Sequence, residues 1–438
     1  MAKKDQIVAA IDIGTTKIVA IVGRINESGK LEVLGLSDTP SKGVKRGVVL
    51  NIEETVNAIE TTVREARQKS GIHFQDVFVG IAGQHIKSLR NRGYLNRDSY
   101  EDEITRDDIR TLVEDMYKIP VDVGEEILHV LPQNFIVDSE TGVKNPIGMS
   151  GKRLEANFHI VVGQIASAKN IEKCINRVNL NVKQLVLEPL ASSEAVLTDD
   201  EKEAGVALVD IGGGTTDVAI YYDDIIRHTA VIPFGGNVVT RDIKEGCSIL
   251  QRQAESLKLQ FGSALGDLAK EDKVVTIPGI SGREPKEISF KSLAYIIQSR
   301  MEEIIDAVMF EAENSGYLDK LSAGIVLTGG GALLLHLPQL VKFKTGLDVR
   351  VGYPTEHLVK ESNEEVNQPM FSTSVGLLLK GSEYLKENKE EIGVKNQEEF
   401  KEQEKKPEKE KTKFKGKIID SLRNVISDIF EEDDTRIN

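Results

Sequence analysis

The sequence predicts a two-lobed α/β protein, and three glycine-rich turns predict it. One turn follows the apolar strand in AIDIGTTKIVAI (Ala10 to Ile21), and a second follows that in ALVDIGGGTTDVAI (Ala207 to Ile220). In each, an Asp, a glycine turn and two threonines lie between β-branched runs, so each reads as strand, tight turn, strand. Such a turn offers successive backbone N–H groups to an anion, and the threonine hydroxyls add donors. Two copies imply two lobes presenting hairpins to one polyphosphate. The third turn, in GIVLTGGGALL (Gly324 to Leu334), ends a strand in a triple glycine, where backbone can lie against a flat ligand such as a purine. Neither the dinucleotide fingerprint nor the Walker spacing fits the first two turns, because both need a helix directly after the glycines.

Composition bounds the partners. At 438 residues the chain exceeds one ordinary core. A net charge of −14 argues against nucleic acid as a partner. Cys174 and Cys247 are too few for a disulfide framework, which points to a reducing cytoplasm, and the scattered histidines suggest no protein-held metal. Lys3 and Lys4 precede an apolar stretch, but Asp12, Gly14 and Lys17 interrupt it too early for an export signal. No run approaches the length of a membrane-spanning helix.

The elements follow in order. After the first hairpin comes the strand LEVLGLSDTP, then a helix with Ile52, Val56, Ile59, Val63 and Ala66 at helical spacing, capped by Asn51 with Glu54 three residues on. VFVGIAG (Val77 to Gly83) reads as a buried strand, closing the first part of lobe one, residues 1–83. From 84 to 159 the texture changes to a polar inserted α+β module, with a helix starting near Thr105 and two strands, EILHVLPQNFIV and HIVVGQ. Lobe one resumes over 160–204 with a helix, the strand VKQLVLEP, and a second helix opening at Glu188. Lobe two occupies 205–385, with a mostly helical subdomain over 238–321 and a closing small-residue helix, STSVGLLLKG.

Residues 386–413 are a Lys/Glu run with almost nothing apolar, expected to act as a disordered charged linker. Beyond it, Phe414, Ile418, Ile419, Leu422, Val425, Ile426, Ile429 and Phe430 form one stripe of an amphipathic helix over 414–430. That helix could dock on the core, enter a partner's groove or lie on a membrane. The membrane is favoured, because Lys413, Lys415 and Lys417 at its start and Glu431 to Asp434 at its end both oppose the helix dipole. The segment should therefore fold only where its apolar face is buried and its basic end meets anionic headgroups.

The ordered set DIGTTK, LEPLASSEA, DIGGGTTD, AESLK and LTGGGALL resembles the actin-like ATPase superfamily, whose two lobes each carry a ribonuclease-H-like core. Within it, VFVGIAGQHI, the module after that strand and the tethered helix resemble the bacterial cell-division family FtsA. The resemblance covers nearly the whole chain. It implies binding of ATP with Mg²⁺ and at most slow hydrolysis. Gly14, Thr15, Thr16 and Lys17 would hold the phosphates from one lobe, and Gly212, Gly213, Gly214, Thr215 and Thr216 from the other. Asp12 and Asp210 would orient waters on the metal, and Glu188 would position an attacking water. Gly235, Gly236, Glu255 and Lys258 would line the ribose and adenine side, opposite Gly329, Gly330 and Gly331. The resemblance also implies self-association into filaments at the division site, on the cytoplasmic face of the inner membrane. Its other implied partners are anionic lipid, later division proteins and the C-terminal peptide of the tubulin-like protein FtsZ, with Arg300 as a candidate peptide contact. A pilus-assembly or cell-shape ATPase of the same superfamily is the alternative.

Overall fold

The computed structural model describes residues 6–99, 102–279, 283–359 and 364–386; the expected linker beyond 386 and the expected helix over 414–430 lie outside them. Lobe one is built on a five-stranded sheet of order β11-β6-β1-β2-β3, where β1 is Ile7–Ile13, β2 Lys17–Ile25, β3 Leu31–Pro40, β6 Asp76–Ile81 and β11 Asn181–Leu187. A small hairpin of β4 (Val44–Lys45) and β5 (Val48–Val49) follows β3. Lobe two repeats the plan in the order β14-β13-β12-β17-β18, with β12 Val206–Ile211, β13 Thr216–Tyr222, β14 Ile225–Ile232, β17 Ile325–Thr328 and β18 Val349–Val351. In both sheets the first three strands in chain order run antiparallel and the last two in chain order join in parallel. The duplicated motif thus occupies the same place in each lobe.

Alternation along the central strands decides what covers them. In β1, Ala9, Ile11 and Ile13 face an outer core with Ile59 and Val63 of α1 (Ile52–Ser70) and Ile171 of α3 (Ile165–Arg177). Val8 and Ala10 face the opposite way, into an inner core shared by the lobes. That inner core holds Leu208 of β12, Ala191 and Ala195 of α4 (Glu188–Val196), and Val375, Leu377 and Leu378 of a final helix, α10 (372–386). Strands buried on both faces read as continuous apolar runs, as these do. Asn51 caps α1 by accepting from the Glu54 N–H at 3.2 Å. A short helix, α5 (Asp199–Ala204), leads from α4 into lobe two.

The helical part of lobe two comprises α6 (Gly236–Cys247), α7 (Gln251–Phe261) and α8 (Phe290–Ser315), with a hairpin of β15 (Val274–Ile277) and β16 (Lys286–Ser289). Beyond β17, α9 (Leu337–Thr345) packs into the same core.

The inserted module differs from the expectation. Its sheet has four strands, β7-β10-β8-β9, with β7 Lys87–Asn96, β8 Glu125–Val137, β9 Glu140–Val143 and β10 Arg153–Gln164. β10 runs unbroken through the expected border at 159/160. Its first half alternates buried Leu154, Ala156 and Phe158 with polar Asn157 and His159, so the strand exceeds the apolar run at its end. β7 is an edge strand whose one buried residue is Gly93, which leaves no apolar pattern to read. One face of this sheet packs against α2 (Arg106–Met116), which Thr105 and Asp108 start with a complete capping box.

Candidate functional site

Two aspartates mark the floor of the cleft between the lobes. Asp12 lies on β1 and Asp210 on β12, each one residue before its strand ends at a glycine turn. The connecting helices bind both. Ser374 of α10 donates to Asp12 Oδ2 at 3.2 Å. Ser192 of α4 and Thr373 of α10 donate to Asp210 Oδ2 at 2.6 and 3.2 Å. α10 therefore meets one carboxylate from each lobe, while α4 meets that of lobe two.

Burial dominates the electrostatics. It pushes the Asp12 carboxyl up to about 6, against the pull of Lys17 and with repulsion from Asp210. Asp210 is also raised by burial, held back by its two hydroxyl donors. Glu188, the first residue of α4, is pushed well above the carboxylate range by burial and by Asp12, Asp217 and Asp210. Asp217, at the start of β13, is raised in the same way by burial and by Asp210. Burial lowers the Lys17 ammonium, although Asp12 opposes the shift. Its Nζ lies 3.4 Å from the centre of the Phe371 ring and has no hydrogen-bond partner among the described residues. One Oδ of Asp217 is likewise buried without a partner.

The two threonine turns face each other closely. A Cβ built on Gly213 would fall 2.2 Å from Thr16 Cγ2, and one on Gly214 would fall 2.4 Å from Thr15 Oγ1. The second turn is tied to α6, because the N–H groups of Gly236 and Asn237 donate to the Gly212 and Gly213 carbonyls at 2.9 and 2.8 Å. Thr216 Oγ1 donates to the Phe234 carbonyl, while Gly212 N–H closes the turn on Thr215 O. Beside the turns lies a cavity of about 710 Å³, lined by Thr16, Gly212, Gly213, Gly236, Glu255, Lys258, Gly330 and Gly331. Lys258 Nζ donates to the Gly236 carbonyl at 3.1 Å and Thr240 Oγ1 at 2.9 Å, and pairs with Glu255 at 2.9 Å. Gly329 packs on the site from behind: its φ is +79°, and a Cβ there would lie 2.2 Å from Asp210 Oδ1.

These donors fit a phosphate-type anion beside Lys17 and the turns, with a hydrated cation among the acids. Half-buried Asp12 and Glu188 and buried Asp210 and Asp217 repel one another, and a cation would relieve that repulsion. Among the described residues no cluster is placed to ligate a metal directly, so a cation here would be met through water. The fold thus gathers Asp12, Lys17, Glu188, Asp210 and the three glycine turns. Arg300 sits apart on α8, in ion pairs with Asp242 and Glu303. Sequence reasoning did not single out Asp217, Ser192, Thr373 and Ser374. Their signal was present, since Asp217 ends DIGGGTTD and the hydroxyls lie in LEPLASSEA and STSVG.

The family profile "Cell division protein FtsA" matches residues 207–376, and the profile "SHS2 domain inserted in FTSA" matches residues 83–162. The cell division protein FtsA of Pseudomonas aeruginosa is 42% identical over 377 residues, covering 86% of this chain and 89% of its own. The chain belongs to the FtsA family of cell-division proteins. FtsA of Escherichia coli K12 is 35% identical over 385 residues, covering 86% of this chain and 91% of its own. Solved structures share the actin-like fold of the family at low identity. A PilM–PilN type IV pilus biogenesis complex aligns with a TM-score of 0.61 at 15% identity, covering 86% of this chain and 98% of its own. MreB5 of Spiroplasma citri bound to ADP aligns at 0.54 and 15%, covering 88% and 98%. Among the described residues no helix is long and apolar enough to cross a membrane.

Proposed function

We propose that this FtsA-family chain clamps ATP with Mg²⁺ between its lobes, assembles into filaments, and ties FtsZ filaments to the cytoplasmic face of the inner membrane through its C-terminal helix. The supporting observation is the symmetric pair Asp12 and Asp210, each at the end of an equivalent strand and each bound by a hydroxyl of α10. Bound Mg²⁺ would neutralise phosphate charge while the two aspartates orient its waters.

This chain's own residues do the rest. Gly14, Thr15, Thr16 and Lys17, with Gly212 to Thr216, hold the phosphates. Gly235, Gly236, Glu255 and Lys258, opposite Gly329 to Gly331, hold the nucleoside. Glu188 and Asp217 keep protons at the cleft floor, and Glu188 positions a water where hydrolysis occurs. Turnover is slow, and the nucleotide acts as a switch for assembly. The helix over 414–430 binds anionic lipid, and Arg300 meets the FtsZ peptide only by exchanging its own acidic partners.

Isothermal titration calorimetry with ATP and Mg²⁺ tests the core of this reading. One site per chain is expected, and the absence of heat would overturn it.

A further inference from the structure

A second cavity, of about 440 Å³, lies outside the cleft, on the face of the module sheet that α2 leaves uncovered. Pairing across β7, β10 and β8 builds its wall: Arg92 stands opposite Asn157, Asn157 opposite Asn134, and Arg90 opposite His159. The other wall is β14 of lobe two, the free edge of its sheet, which contributes Arg227. The walls are pinned where Ser88 Oγ donates to the Thr229 carbonyl at 2.7 Å and Gln133 donates to the Ile226 carbonyl.

The charge in this cavity is unbalanced. Arg92 pairs with Glu155 at 2.6 Å. Arg90 meets only a carbonyl, Ser315 O at 2.8 Å, and Arg227 meets the Tyr222 carbonyl at 3.1 Å and the Tyr317 ring. Neither has an ion pair among the described residues, and no carboxylate lines the cavity, in a chain of net charge −14. Glu311 of the adjoining α8 is met by His228 at 3.0 Å. Guanidiniums without acids, beside neutral amides that can meet hydroxyls, are the lining of an oxyanion site.

We propose that this seam between the module and lobe two binds a small phosphate ester, with Arg90 and Arg227 as its principal contacts. Phosphate is favoured over carboxylate because the guanidiniums come from opposite walls. A tetrahedral group accepts from several directions, whereas a carboxylate accepts in one plane. A ligand here would bridge the module to lobe two.

Calorimetry of the full chain with inorganic pyrophosphate tests this. Wild type should show a site that Arg90→Gln/Arg227→Gln loses or binds at least about tenfold more weakly. Pyrophosphate in the nucleotide cleft would persist in both proteins, so the site count separates the two locations. Arg90→Lys/Arg227→Lys should retain weakened binding. Asn157→Asp, which puts a carboxylate in the lining, should abolish it without touching either arginine. Equal titrations for wild type and Asn157→Asp would overturn the proposal, as would citrate binding at this site in place of pyrophosphate.

Discussion

Asp12 makes the stability of the ligand-free protein depend on pH. A carboxyl whose folded value is about 6, against an ordinary 3.8, binds its proton more tightly when folded. It contributes stability below its unfolded value, and that contribution is lost as pH rises through about 6. Asp12→Asn imitates the protonated state at every pH. Ligand-free Asp12→Asn should therefore be more stable than wild type by about 1–3 kcal/mol above pH 7, with the difference vanishing below about pH 4. Thermal melts across that range would check it, and the same variant should bind ATP with Mg²⁺ more weakly. Gly329→Ala should act in the opposite sense. It forces a side chain into positive φ and against Asp210 Oδ1, so stability should fall by about 1–3 kcal/mol, read from urea unfolding. Asp12 and Asp210 were legible in the sequence because they open matching motifs. Asp217 closes the second of those motifs, but the upward shift of its carboxyl was not legible, because its environment is made by residues from both lobes.

The pair α4 and α10 is the element on which the two lobes converge. Gly376 of α10 lies so close to α4 that a Cβ would fall 1.7 Å from the Ala191 carbonyl oxygen. Gly376→Ala should force the helices apart and cost about 1–3 kcal/mol or more, lowering the urea midpoint and loosening the hydroxyl contacts to both aspartates. Both helices were expected from the sequence, yet their contact was not, since a crossing depends on residues 185 positions apart (191 and 376). β7 escaped for a different reason: an exposed edge strand has no buried face to impose alternation on its sequence. The tail helix makes its own prediction. A peptide of residues 411–434 should be unstructured in buffer by circular dichroism and become helical on anionic vesicles; an unchanged spectrum would remove the membrane reading.

At the scale of the whole chain, the described residues up to 385 form one compact unit. A chain ending at 386 should keep the thermal midpoint and ATP affinity of the full protein while losing co-sedimentation with anionic liposomes. A drop in midpoint would mean that the tail supports the core. The four-stranded module has its own core around Phe158 and Leu112, while Ile86 and Leu128 pack against the outer core of lobe one and Leu131 against the inner core.

By itself the sequence determined the matching glycine turns, the strands that carry them and the apolar stripe of the tail. Each of these is written in neighbouring residues, through turn chemistry and period. Only the tertiary structure decided which hydroxyls bind the two aspartates, that Lys17 is buried against Phe371, and that arginines from β7 and β14 share a cavity. Those facts depend on contacts between distant segments, where burial and charge are set by partners that no local pattern encodes.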